Sequence, residues 1–97
     1  DKYLDILLSQ NITTMFDKSA FLFKQAIRKD MDKNAKYYFV KGIFEIKDEI
    51  LGAALNVEDS AKRIELESKA KMLKAWIQEI KEKETDPQVK GMLGQFN

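Results

Sequence analysis

The sequence predicts an all-α fold, an antiparallel bundle of three long helices with a short C-terminal helix. Three observations predict it. Apolar residues recur every three or four positions over three long stretches, which places them on one face of a helix. Gly (4) and Pro (1) are scarce in 97 residues, and the one Pro stands at position 87, so nothing breaks a helix for long stretches. The polar interruptions are short, and short connections make consecutive helices antiparallel neighbours. A chain of this length is one domain, residues 1–97. With 44% apolar and 34% charged residues it reads as a folded bundle with a charged surface, not as a disordered segment.

The first helix is expected over 2–30, with Asp1 as its cap. Its apolar face is Leu4, Leu8, Ile12, Met15, Phe16, Ala20, Phe23, Ala26 and Ile27. Residues 30–34, Asp-Met-Asp-Lys-Asn, form the turn, and Asp32 or Asn34 caps the second helix. That helix covers 35–55 on the stripe Ala35, Phe39, Val40, Ile43, Ile46, Ile50, Ala53 and Ala54. Gly42 and Gly52 lie inside it, either as close-approach points for a neighbour or as tolerated defects. The second break is 56–60, with Asn56 or Ser60 as the cap and Glu58 and Asp59 suited to a first turn. The third helix covers about 60–84. Leu66, Ala70, Leu73, Ile77 and Ile80 follow a 4-3-4-3 spacing, the seam of a left-handed bundle. Asp86 and Pro87 read as the N-cap and first residue of a short last helix. Gly91 and Gly94 weaken that helix, so 85–97 is expected to be a labile tail or to dock only with a partner.

Several apolar side chains fall outside these stripes. Tyr37, Phe44 and Leu51 stand at i, i+7 and i+14, roughly 80–120° from the centre of the second helix's core face, with Leu55 beside them. Met72 and Trp76 flank the third seam. Phe21 points almost opposite the first helix's core face, and Tyr3, Ile6 and Leu7 are also off-face. Helices with apolar residues on more than one face are internal to a larger bundle or form a groove for another amphipathic helix. The middle helix of a bundle also touches two neighbours, so an ordinary wide core accounts for part of the same pattern. On the binding reading, the partner-contacting residues are Phe21, Tyr37, Phe44, Leu51, Met72 and Trp76.

Composition argues against chemistry. The absence of Cys excludes disulfides, thiolate metal sites and a Cys nucleophile. The absence of His removes the commonest general base and metal ligand. Glu45 and Glu49, with Glu65 across from them, lack the Glu-x-x-His partners of di-metal bundles and are interleaved with Lys41, Lys47 and Asp48, so they read as a solvated face. Ser9, Ser19, Ser60 and Ser68 have no His to activate them, and Ser19 beside Lys18 lacks an identifiable geometry. The Lys-rich stretch 62–83 alternates with Glu and reads as helix-surface pairing. The expectation is therefore no enzyme, no metal and no cofactor. A net charge of +1 from 17 basic and 16 acidic residues makes nucleic acid a poor partner. No apolar run reaches the ~18–20 residues of a membrane span, so no membrane partner is expected either. Opening on Asp1 rather than Met, the sequence reads as a piece of a longer chain.

Over residues 5–57 the sequence resembles the FliS-type flagellar export chaperones, or a diverged co-chaperone related to them. Met15-Phe16-Asp17 resembles the family's Leu-Tyr-acidic step, and Phe23, Gln25 and Ala26 its Phe…Gln-Ala run. Residues 30–33 resemble its acidic turn. Tyr37-Tyr38, then Ile43 to Leu51, and Leu55-Asn56 resemble its second helix. The family's Gly-Gly-Glu step is absent, with Glu58-Asp59-Ser60-Ala61 in its place, and its next Leu-Tyr step is missing. The resemblance implies a small cytoplasmic helical chaperone or co-chaperone that binds a flagellar export substrate, or that substrate's chaperone, through an apolar groove. The alternative is a structural oligomerisation module in which the leftover stripes pack subunit on subunit, as in a homodimer.

Overall fold

A computed structural model describes the backbone of residues 2–28 and 30–96, with side chains for 11–28 and 30–96. The helices run in the order α1 (Lys2–Ala26), α2 (Lys33–Leu55), α3 (Ser60–Lys83) and α4 (Pro87–Leu93). Packing of α1 on α2 and α3, of α2 on α3 and of α4 on α2 gives an all-α antiparallel bundle of 48 × 19 × 14 Å. Asp1, and the side chains of Tyr3, Leu4, Ile6, Leu7 and Leu8, lie outside the described residues.

Side-chain caps decide where the helices begin. The Asp32 carboxylate accepts from the backbone N–H groups of Asn34 and Ala35 at 3.0 and 3.2 Å, as its position before the stripe predicts. At α4, Asp86 accepts from the Gln88 N–H at 2.9 Å and Pro87 opens the helix, again as expected. The cap of α3 differs from expectation. It is Asp59, whose carboxylate accepts from the Ala61 N–H at 2.9 Å, rather than Asn56 or Ser60. Asn56 instead closes α2, with its backbone N–H donating to Ala53 and its side-chain amide to the Gly52 carbonyl.

Helix α1 also stops earlier than the spacing predicts, at Ala26 rather than residue 30. Asp32 must be non-helical to cap α2 (φ −59°, ψ 141°). The chain tightens beforehand, where the Arg28 N–H donates to Gln25 and the Arg28 guanidinium spans Gln25 and Asp30. Ile27, read as core, therefore falls in the turn and is 38% exposed.

The α3 seam is as its spacing predicts, with Leu66, Ala70, Leu73, Ile77 and Ile80 all buried. They share one cluster with Val40, Ile43, Ile50 and Ala54 of α2 and Ile12 and Ala26 of α1. Two seam positions carry polar residues that the stripes passed over. Ser19 is fully buried and its hydroxyl donates to the Met15 carbonyl at 3.0 Å, one turn back. Lys47 occupies the seam register between Ile43 and Ile50 and is 8% exposed, its stem packed inward and its ammonium 3.2 Å from the Asp48 carboxylate.

The two glycines of α2 behave differently. A Cβ on Gly42 would stand 2.9 Å from a terminal methyl of Leu22, so Gly42 lets α1 and α2 approach closely. Nothing lies within 4 Å of a Cβ on Gly52. Gly52→Ala is expected to raise stability by about 0.5–1 kcal/mol through helix propensity alone. Gly42→Ala gains the same propensity but must displace Leu22, so its gain is smaller. Urea unfolding of the two variants checks this, and equal gains would refute the close-approach role of Gly42.

Ion pairs fasten the α3–α4 turn to the start of α2. The Glu84 carboxylate, mostly buried, takes the Lys36 ammonium on one oxygen and the backbone N–H groups of Thr85 and Asp86 on the other. Lys33 reaches Asp86 at 2.9 Å. The hydrogen bond from Lys36 holds the Glu84 carboxyl below its ordinary value of 4.5, and that from Lys33 holds Asp86 below 3.8. A carboxyl depressed in the folded state stabilises fully above its unfolded pKa and loses that contribution as pH falls through the folded one. Stability is therefore expected to drop on acidification below about pH 4.5, with a shallower drop in Glu84→Gln. Urea midpoints from pH 6 down to about pH 3 measure both slopes.

Candidate partner-binding surface

Helix α2 carries a second apolar stripe beside its core face. Tyr37 and Phe44 lie on it, and both are half-buried. What covers them is the chain's own C-terminal segment. Val89, Leu93 and Phe96, spaced i, i+4 and i+7, are 2%, 0% and 6% exposed. The Phe96 ring lies 5.5 Å from Tyr37 and 5.3 Å from Phe44, tilted against both. The expectation that 85–97 docks only with a partner is thus corrected. Asp86 and Pro87 start the helix, the ion pairs to Lys33 and Lys36 aim it, and three apolar side chains seat it on α2.

The stripe continues past the covered part. Leu51, two turns beyond Phe44, is 40% exposed, and Leu55 is 84% exposed. Between Phe44 and Leu51 stands Lys47, its ammonium 4.0 Å above the centre of the Phe44 ring. From there a groove of about 340 Å³ runs between α2 and α3, lined by Lys47, Leu51, Glu67, Ala70, Lys71 and Lys74.

The other three partner-binding candidates lie elsewhere. Trp76 is on the opposite flank of α3 and turned toward α1. Its ring stacks on Phe23 at 5.2 Å with 1° between planes, and meets Phe16 at 5.3 Å and 43°. Met72, one turn earlier on α3, is 48% exposed. Phe21 projects from the outer face of α1 and is 60% exposed. The six candidates therefore do not line one groove. Tyr37, Phe44 and Leu51 form a strip on α2, Trp76 joins α1 to α3, and Met72 and Phe21 stand on open surface.

Sequence reasoning missed Phe96 and Lys47. Phe96 had a signal in its i, i+4, i+7 spacing from Val89 and Leu93, hidden by the two intervening glycines. Lys47 had one in its place in the 3-4-3-4 seam 40-43-47-50-54. Ser19, considered beside Lys18 as a nucleophile, has its hydroxyl committed to the backbone inside the core. Glu45 and Glu49 are exposed, and among the described residues no group of three or more carboxylates is placed to hold a metal ion. The Glu–Lys alternation of α3 forms the expected surface pairs, Glu65–Lys69 and Glu79–Lys83, at 3.3 and 3.1 Å. Among the described residues, no helix is long and apolar enough to cross a membrane. Compared with known proteins, the chain matches no family model, no curated protein and no solved structure.

Proposed function

We propose that the protein is a flagellar secretion chaperone or co-chaperone that shelters an amphipathic helix of an export substrate, or of that substrate's own chaperone, along the outer stripe of α2. The observation that carries the reading is the seating of α4. The stripe already takes the chain's own C-terminal segment, with α4 packed on α2 and Phe96, just past the end of α4, on Tyr37 and Phe44, and it runs on to Leu51 and Leu55, which are 40% and 84% exposed. Binding draws on burial of apolar surface at about 25 cal/mol per Å², less the cost of ordering the bound segment. The partner class comes from the resemblance of residues 5–57 to the FliS-type chaperones, and such a chaperone acts in the cytoplasm. Titration with a flagellin C-terminal peptide, and with a flagellin chaperone from a flagellated host, tests the proposal. Binding to either supports it, and silence from both sinks it.

A second reading, a structural oligomerisation module, is favoured by apolar side chains on other faces. Phe21 on α1 and Ile64 on α3 are 60% and 63% exposed, away from the α2 stripe. Sedimentation separates the readings. A dimer at concentrations on the order of 10 µM, with an affinity near −7 kcal/mol, supports the module, and a clean monomer argues against it.

A further inference from the structure

The α2–α3 groove differs in charge from the part of the stripe that α4 covers. α4 buries Val89 and Leu93 and carries one charged side chain, Lys90, and Phe96, just past its end, lies against Tyr37 and Phe44. The open groove beyond Phe44 has Leu51 as its open apolar surface, with the buried Ala70 beneath, and an exposed cationic rim of Lys71 and Lys74 beside the carboxylate of Glu67, while Lys47 closes its end already paired with Asp48. Lys71 and Lys74 are exposed and make no ion pair among the described residues. Lys47 is held at the boundary, with its stem buried and its ammonium between the Phe44 ring and Asp48. The two seats adjoin there, since Phe96 and Lys47 rest on the same ring.

We infer that this open groove is the seat of an acidic amphipathic helix of a protein partner, with its apolar stripe on Leu51 and Asp or Glu side chains flanking it. The inference rests on the proposed helix-binding function and adds the charge of the partner segment. The C-terminal segment shows that the stripe takes apolar side chains, because Phe96 fills the adjoining seat on Tyr37 and Phe44. The charge comes from the rim. A basic helix would bring like charges onto Lys71 and Lys74, whereas a carboxylate one turn away on either side of its apolar stripe meets them. Ion pairs at exposed rims contribute little affinity each but discriminate strongly against the wrong sign. With two ammoniums unpaired among the described residues on one short groove and a near-neutral chain, the patch is too small to follow a phosphate backbone.

The test uses the full chain and two synthetic helical peptides with the same apolar stripe, one flanked by Glu and one by Lys, titrated by calorimetry at low and high salt. The expected result is that the Glu peptide binds more tightly by roughly tenfold or more, and that salt narrows the gap. The double reversal Lys71→Glu and Lys74→Glu, at two exposed positions, is expected to invert the preference while helix content by circular dichroism stays unchanged. Equal binding of the two peptides, or a reversal without effect, overturns the acidic-helix assignment and leaves helix binding in place. If neither synthetic peptide binds while the flagellin peptide or chaperone does, the assignment also fails alone. If nothing binds, both readings fall together. Binding of single-stranded oligonucleotide that the reversal abolishes, or self-association that the reversal abolishes, would identify a different occupant and overturn it as well.

Discussion

Replacing Trp76 by Ala is expected to lower folding stability by about 3 kcal/mol, the lower part of the range for aromatic truncations because the indole is only half-buried. The loss has two sources. The apolar burial of the ring between α1 and α3 disappears, and so do its ring contacts with Phe23 and Phe16 at 5.2 and 5.3 Å. Such aromatic pairs are worth about 0.5–1.5 kcal/mol each beyond their area. Against a total of roughly 5–15 kcal/mol for a domain of this size, the change lowers the thermal midpoint by on the order of 10–20 °C. α1 is the helix most affected, because the indole is the aromatic link that α3 offers it. Thermal unfolding followed by far-ultraviolet circular dichroism measures the shift. Met72→Ala, one turn away on open surface, serves as the control and is expected to stay within about 0.5 kcal/mol of the parent. A Trp76→Ala variant as stable as Met72→Ala would mean that the ring is not holding α1 and α3 together.

Trp76 also illustrates how much is legible in the residues alone. The seam of α3 and most of the α2 core follow from spacing, because buried apolar residues on a helix must repeat near 3.6 and few residues in this chain break that period. Helix starts at Asp32 and Asp86 follow equally well, because a carboxylate before an apolar run has few other local uses. Spacing does not reveal which neighbour lies on each flank of a seam. Trp76 and Lys74 sit on opposite sides of the α3 core line, yet both read simply as off-seam. Only the assembled bundle puts α1 on one flank and leaves the groove to α2 on the other. Lys47 was hidden for a different reason. Its charge suggests surface, while its long apolar stem satisfies a seam position and its head escapes to Asp48. The position of α4 was hidden by composition, since Gly91 and Gly94 lower helix propensity without preventing three well-spaced apolar side chains from docking.

That docking leads to the second large effect. Phe96→Ala is expected to release α4 from α2. A seven-residue helix has no independent stability in water, so α4 exists because its apolar face is seated. Phe96 is the largest of the three seating residues and the one in ring contact with Tyr37 and Phe44. Its truncation removes about 3 kcal/mol of local packing, comparable with what holds so short a segment down. The expected signature is local rather than global. Amide hydrogens of residues 87–96 should exchange faster by about two orders of magnitude, while those at the α3 seam keep their protection apart from the small global change. Tyr37 and Phe44 then become exposed, and binding of a hydrophobic dye should rise. Val89→Ala is a milder companion, removing less buried surface without touching the ring cluster. On the proposed function the same variant gains in a second assay. A partner helix that follows the α2 stripe through Phe44 must compete with Phe96, so Phe96→Ala should bind it more tightly than the parent does. A helix confined to the groove at Leu51, Lys71 and Lys74 does not meet Phe96 and should bind with unchanged affinity. Comparing the two affinities therefore locates the bound helix along α2, and faster exchange across the whole bundle would show instead that Phe96 supports the fold as a whole.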